Sequence, residues 1–158
     1  MRHRVFTYIT RENELLVLEH VDHRYLDPQI PGGTIKENET PEIAAIREAQ
    51  EETGLKHLQL MSFLGSFKKD LSDIGRDEVI TAWFFHLLTK ESTPSSWRHF
   101  ETDPSEGAEP IEFELYWVPI SNLPKLGGID DAMLRELKES LLSCSVLTMQ
   151  SAVENPIA

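Results

Sequence analysis

Three glutamates lie close together in the segment REAQEE at residues 47–52. Glu48, Glu51 and Glu52 are spaced i, i+3 and i+4, so on a helix they share about one third of its circumference. Carboxylates on one face repel each other by roughly 0.2–0.5 kcal/mol per neighbouring pair, and a bound cation relieves that repulsion. Mg²⁺ suits such a group because it takes a few carboxylate oxygens and completes its shell with water and phosphate. The pattern indicates a magnesium site, with a solvated acidic helix face as the alternative.

The residues that flank this group have the start and stop signals of a helix. Thr40 is a good N-cap, and Pro41 stands at the first helical position, where its missing N–H costs nothing. Gly54 fits the left-handed position just past a helix end. Ile43 and Ile46 face broadly away from the glutamates, so we expect that side to dock on a sheet. The helix is therefore predicted to begin at Pro41 and to end before Gly54.

Alternating or β-forming residues predict strands around that helix. The predicted strands are 4–9, 15–20, 58–67, 79–88 and 111–120. Residues 89–110 carry Pro, Ser, Glu and Gly and are predicted to form a long surface loop. A second, amphipathic helix is predicted over 130–147. These elements predict one α/β domain over 1–148, with a mixed sheet between two helices in an α/β/α sandwich, and a flexible tail over 149–158.

The composition excludes several classes of protein. The chain has 158 residues, of which 40% are hydrophobic and 27% are charged, and its net charge is −12. Such a surface repels a phosphate backbone, so nucleic acid is not an expected partner. Cys144 is the one cysteine, which excludes an internal disulfide and a cysteine metal cluster. No stretch is apolar enough for a signal peptide or a membrane span, so a cytoplasmic protein without membrane contact is expected.

The segment over residues 31–55, PGGTIKENETPEIAAIREAQEETGL, resembles the signature of a known enzyme family. The Nudix box of MutT-like hydrolases reads G-x5-E-x7-R-E-U-x-E-E-x-G-U, in which U is an aliphatic residue. The chain matches this pattern with Gly33, Glu39, Arg47, Glu48, Glu51, Glu52, Gly54 and Leu55. Ala49 is small for the first aliphatic position but acceptable there. The resemblance implies the Nudix fold and a pyrophosphohydrolase that acts on phosphoric anhydrides.

The resemblance also implies a role for each of these residues. Glu51 and Glu52 are the first-choice ligands for Mg²⁺, or for Mn²⁺ in its place, and Glu48 is a third ligand or a catalytic base. Glu48 and Glu52 are thus the catalytic candidates inside the box. The carbonyl of Gly32 is a further expected metal ligand. The remaining positions are expected to hold helix and loop in register without touching the substrate, and they are Gly33, Glu39, Arg47 and Gly54.

In the Nudix family, the base for the attacking water is often a glutamate outside the box, on a loop near the last strands. The candidates in this chain are Glu106, Glu109, Glu112 and Glu114. We favour Glu112 or Glu109, although a glutamate that simply faces solvent is the alternative for each of them.

Aromatic and basic residues outside the box are candidates for substrate contacts. Tyr25 and Trp97 fall in predicted loops and are the better candidates for stacking on a nucleobase, with ordinary packing as the alternative. Lys68, Lys69 and Arg76 follow the box and are candidates for contact with a terminal phosphate, although surface solvation is the preferred interpretation.

The predicted substrate is a nucleoside diphosphate linked to another moiety, with a nucleoside triphosphate as the leading case. The family's short signatures for diadenosine polyphosphate, ADP-ribose, NADH and coenzyme A substrates are missing. The main alternative is a non-catalytic Nudix-fold sensor that binds a nucleotide, and a cap-removing hydrolase is disfavoured by the acidic charge. Homodimers are common in the family, but nothing in this sequence identifies an interface.

Overall fold

The computed structural model describes residues 1–101 and 109–154, with side chains up to residue 144. In this part of the chain, three strands precede the first α-helix and four more strands precede the second. The strands are β1 (Arg2–Arg11), β2 (Glu14–His20), β3 (Gly32–Thr34), β4 (Gln59–Asp70), β5 (Val79–Leu88), β6 (Ser96–Phe100) and β7 (Glu112–Pro119). The helices are α1 (Pro41–Thr53) and α2 (Leu134–Glu154). No helix in the described ranges has the length and apolar character that a membrane crossing requires.

The strands form one mixed sheet in the order β4-β5-β1-β2-β7-β6. β1 lies inside the sheet and pairs in parallel with β5. The other edge of β1 is divided between two antiparallel partners, β3 at Val5↔Gly33 and β2 at Thr10↔Leu15. This division places the two glycines of β3 beside the first half of β1.

Alternating side chains of β1 contribute to a core on each face of the sheet. Val5 and Ile9 are fully buried on the face covered by α1, whose three alanines pack there. Phe6 and Tyr8 belong to the opposite core, which includes Leu137 of α2. The period of two along the strand therefore produces the predicted arrangement of a sheet between two helices.

A buried tyrosine anchors the segment that leads into α2. The Tyr8 hydroxyl donates to the Asp130 carbonyl at 2.6 Å and accepts from the Met133 N–H at 3.1 Å. The Asp130 carboxylate in turn accepts from the Ile30 N–H at 2.8 Å. These contacts hold residues 130–133 in turns, so α2 begins at Leu134 and not at Asp130 as predicted. The helix continues to Glu154, into the segment predicted as a tail, and residues 155–158 lie outside the described residues.

The structure differs from the sequence analysis at three places, each because tertiary contacts decide the outcome. β3, which is not among the predicted strands, has the sequence GGT, whose two glycines do not favour a strand, and its strand conformation comes from pairing with β1. β6 lies within the predicted loop 89–110 and is a strand because it pairs with β7. Ile43, which the helical spacing directs to the sheet, is 59% exposed, because the small side chains of Ala44 and Ala45 let α1 approach the sheet there instead.

Candidate active site

The helix α1 carries the candidate catalytic carboxylates, and both of its ends have the predicted caps. The Thr40 hydroxyl accepts a hydrogen bond from the Ile43 N–H at 3.2 Å. Gly54 ends the helix in the left-handed conformation, with φ +78°. The inward side of the helix presents Glu48 and Glu52, which are only 7% and 8% exposed. Carboxylates are rarely this buried without partners, so their partners define what the site can do.

The two glycines of β3 bring backbone into direct contact with these carboxylates. The Gly32 N–H donates to Oε1 of Glu52 at 2.6 Å. A Cβ on Gly33 would lie 2.2 Å from Cδ of Glu48, and a Cβ on Gly32 would lie 2.4 Å from the carbonyl oxygen of Val5. Neither position has room for a side chain, because the carboxylate or the neighbouring strand already fills the space.

Arg47 connects the glutamates of α1 to the loop before it. Its guanidinium donates to both oxygens of Glu39, at 2.6 and 2.8 Å, and to the Thr34 carbonyl at 3.0 Å. It also donates to Glu48 at 2.8 Å and to Glu51 at 3.2 Å. The hydrogen bonds to Arg47 hold the pKa of Glu39 below its usual value. Arg47 thus links the helix to Glu39 and Thr34 of the preceding loop and strand, and the role predicted for Arg47 and Glu39, to hold helix and loop in register, stays a prediction.

Burial destabilises the charged forms of the Glu48 and Glu52 carboxylates. Burial raises the pKa of Glu48 to about 7, although its hydrogen bond to Arg47 acts in the opposite direction. The pKa of Glu52 lies well above its usual value, again because of burial, and the Gly32 N–H acts against this rise. The negative charge of Glu101 raises the pKa of both groups further. A site with these properties favours either protons or a cation.

These carboxylates open into a cavity of about 430 Å³, which we call the carboxylate cleft. Glu48, Glu52 and Glu101 line it together with Gly32 and Gly33. Its positive side chains are those of Arg2, Arg4 and Arg76. Acidic and basic groups thus face one another across a single cleft, which suits a metal–phosphate ligand better than a neutral one.

The donor chemistry of the cleft fits a hard divalent cation. Glu48, Glu52 and Glu101 supply only oxygen atoms, and the crowding of their charges is relieved by an ion such as Mg²⁺. In the described part of the chain, no three His, Cys, Asp or Glu side chains are already grouped closely enough to hold a metal ion. Arg47 donates hydrogen bonds to Glu48 and Glu51, and the Gly32 N–H donates one to Glu52. A metal therefore has to compete with these hydrogen bonds for its ligands.

The family model of the NUDIX domain matches residues 1–137. The chain belongs to the Nudix family. Among curated proteins, none matches the sequence significantly.

Three solved structures are similar to this fold. A MutT Nudix hydrolase from Burkholderia pseudomallei has a TM-score of 0.60 at 22% identity, over 85% of this chain and 96% of that one. A UDP-X diphosphatase has a TM-score of 0.63 at 16% identity, over 90% of this chain and 63% of that one. A point mutant of a pyrophosphohydrolase from Bacillus subtilis has a TM-score of 0.53 at 24% identity, over 87% of this chain and 81% of that one.

In this Nudix chain, one described glutamate outside the box lines the cleft together with Glu48 and Glu52, and it is not one of the predicted bases. Glu101 follows the last residue of β6, and its N–H donates to the Ile111 carbonyl at 2.9 Å. Its position escapes sequence reasoning because β6 falls within the predicted loop. The signal that could have revealed it is the alternation of SWRHF just before it.

The four predicted bases lie elsewhere or outside the described residues. Glu112 pairs with Arg98 at 3.3 Å and does not line the carboxylate cleft. Glu114 pairs with Arg24 at 3.2 Å, Glu109 is exposed, and Glu106 lies outside the described residues. The structure thus gives neither favoured candidate, Glu112 or Glu109, a place beside Glu48 and Glu52.

Neither predicted stacking residue is among the residues that line the cleft. Trp97 is a strand residue of β6, where its indole N–H donates to the Thr53 carbonyl at 2.9 Å and its ring packs against the core. These contacts are those of the alternative for this residue, ordinary packing, and nucleobase stacking by Trp97 stays a prediction. Tyr25 is 82% exposed, and its nearest ring contact is His23, with centroids 5.8 Å apart. Its role in binding stays a prediction.

Proposed function

We propose that this Nudix protein is a metal-dependent hydrolase that cleaves a diphosphate bond in a nucleoside diphosphate linked to another moiety, with a nucleoside triphosphate as the leading case. The observation that carries the proposal is the convergence of Glu48, Glu52 and Glu101 in one cleft that also contains arginines. Two proteins that share the fold are a UDP-X diphosphatase and a pyrophosphohydrolase, and their names denote the same type of bond.

Glu48, Glu51 and Glu52 would hold Mg²⁺, or Mn²⁺ in its place, together with the carbonyl of Gly32. A bound divalent ion neutralises phosphate oxygens and lowers the pKa of a coordinated water. Arg47 would keep Glu48 and Glu51 oriented through the same guanidinium that binds Glu39. Gly33 would leave the space that the Glu48 carboxylate needs.

The attacking water also needs a group that accepts its proton. Glu101 is our first candidate, because it lines the cleft and its charge acts on both Glu48 and Glu52. Glu48 is the second candidate, since a pKa of about 7 matches the requirements of a base near neutral pH. Arg47 beside Glu48 would then stabilise that carboxylate whenever it is unprotonated.

The test is release of phosphate or pyrophosphate from a panel of nucleoside triphosphates, ADP-ribose, diadenosine polyphosphates, NADH and nucleotide sugars, with Mg²⁺ and with chelator. Glu52→Gln keeps an acceptor for the Gly32 N–H but loses the charge. Glu42→Gln is the matched control, because Glu42 is an exposed residue in the first turn of the same helix. We expect Mg²⁺-dependent turnover that falls roughly 10²–10⁴-fold in Glu52→Gln and is unchanged in the control. Tight binding without turnover on any panel member would instead support the sensor.

A second set of variants identifies the base. Glu101→Gln, Glu109→Gln and Glu112→Gln change one glutamate each to an amide of the same shape. We expect kcat to fall by roughly 10²-fold or more in Glu101→Gln alone, with the acidic limb of its pH profile altered. An equal loss of kcat in Glu112→Gln or Glu109→Gln would instead identify that residue, which the sequence analysis favoured, as the base.

The remaining expectations stay predictions. They are a cytoplasmic location, a homodimer, the absence of a nucleic-acid partner and a domain boundary near residue 148.

A further inference from the structure

The carboxylate cleft adjoins a second cavity of about 330 Å³, which we call the apolar cavity. Its walls contain the side chains of Phe6, Leu71, Ile74, Ile80 and Ile129. Four residues line both cavities, and they are Arg4, Leu26, Gln29 and Arg76. Because the boundary between the cavities carries two arginines, any ligand that extends from one cavity to the other must pass these positive charges.

The guanidinium of Arg4 is unusual because no ion pair to it is found among the described residues. Its Nε is a buried nitrogen without a hydrogen-bond partner in that part of the chain. The closest aromatic contact is the Phe6 ring, whose centroid lies 5.3 Å from Cζ. Glu52 and Asp130 lie near enough to affect the charge of Arg4, but neither forms an ion pair with it. Burial of an unpaired cation is costly, so the site favours an anion.

The other two arginines of the cleft differ in whether they already form an ion pair. Arg2 forms an ion pair with Glu78 at 2.8 Å. Arg76 is exposed at the rim of both cavities, and no ion pair to it is found within residues 1–101 and 109–144. On a chain with a net charge of −12, two unengaged arginines beside buried carboxylates form a local site for a polyanion.

We propose that Arg4 and Arg76 bind the phosphate group next to the one held at the carboxylates, and so position the substrate with its remainder directed into the apolar cavity. Arginine suits this task because its planar fork donates two parallel hydrogen bonds to phosphate oxygens. The inference rests on the proposed hydrolase function, since it assumes that the carboxylates hold the phosphate under attack. Arg4 and Arg76 are positioning residues, with Arg4 as the main contact because it is the more buried.

The test measures binding of inorganic pyrophosphate by calorimetry in the presence of chelator, so that metal and turnover play no part. We compare the wild-type protein with Arg4→Gln, Arg4→Lys, Arg76→Gln and the control Arg98→Gln. Arg98 is also exposed but pairs with Glu112, which does not line the cleft. We expect about tenfold weaker binding in Arg4→Gln, a smaller loss in Arg4→Lys and Arg76→Gln, and none in Arg98→Gln. Wild-type affinity should also fall as salt is added.

Two outcomes overturn the inference. One is wild-type pyrophosphate affinity in Arg4→Gln, because a purely structural arginine would change thermal stability and leave pyrophosphate affinity unchanged. The other is an absence of pyrophosphate binding to the wild-type protein. The hydrolase proposal is tested separately by the nucleotide panel. If pyrophosphate binding depends on Arg4 but no panel member is hydrolysed, the anion site is supported and the hydrolase function is refuted.

Discussion

Arg47→Ala should destabilise the protein far more than removal of an exposed arginine. In the folded chain, the Arg47 guanidinium donates to Glu39, Glu48 and Glu51 and to the Thr34 carbonyl. The three glutamate side chains are only 11%, 9% and 15% exposed. Alanine would leave these carboxylates buried next to one another, without the cation that offsets their repulsion.

The expected loss follows from the burial of these groups. Removal of one partner from a buried ion pair costs about 3–5 kcal/mol, because the remaining charge is no longer compensated. For a domain of this size, each kcal/mol lowers Tm by about 2–4 °C, so a decrease of roughly 6–20 °C is expected. Arg98→Ala is the matched control, because Arg98 is 55% exposed and its pairs with Glu112 and Glu114 are longer, at 3.3 and 3.4 Å. Exposed pairs contribute about 0–1 kcal/mol.

The assay is urea unfolding followed by circular dichroism at neutral pH, with chelator present so that no divalent ion replaces the arginine. Arg47→Lys should recover part of the stability, because it restores the charge without the planar fork. A loss below about 1 kcal/mol in Arg47→Ala, equal to that in Arg98→Ala, would refute the reasoning. It would mean that the glutamates find water or protonate at little cost.

Three further outcomes are expected. Gly33→Ala should lower kcat by roughly 10²-fold, because its Cβ would lie 2.2 Å from Cδ of Glu48 and displace that carboxylate; steady-state rates that match wild type would contradict this. Burial lowers the pKa of His86 to about 4, so the unfolded chain takes up the proton first, and the contribution of His86 to stability should fall by about 3 kcal/mol as pH drops from 6.5 to 4. The urea midpoints of the wild type and His86→Gln should therefore converge as pH falls. If the two midpoints depend on pH in the same way, protonation of His86 does not cause the loss. Burial raises the pKa of Asp130 to about 7, so the folded chain keeps a proton that the unfolded chain loses, and the contribution of Asp130 to stability should fall by about 4 kcal/mol as pH rises from 4 to 7. Asp130→Asn should make the decline smaller by this amount, while Glu48 and Glu52, whose pKa values burial also raises, continue to contribute to it. A variant with the same decline as the wild type would show that Asp130 does not cause it.

The sequence by itself determined the helix α1 and the identity of its glutamates. Thr40, Pro41 and Gly54 specify the helix ends through contacts within a few residues, and the structure has both caps as predicted. The spacing of Glu48 and Glu52 places them on one side of any helix. Such features depend only on neighbours along the chain, so they can be read without knowledge of the fold.

The tertiary structure decided which side chains join those glutamates. Glu101 reaches the cleft because β6 pairs with β7 at the edge of the sheet, a contact that its own short sequence signals only weakly. Trp97, a predicted stacking residue, packs against the core from the same strand. In the sequence, Arg4 is an ordinary residue of a predicted strand. Only the fold shows that it lines two cavities. Burial, ion pairing and pKa depend on residues distant in sequence, and only strand pairing and helix packing bring those residues together.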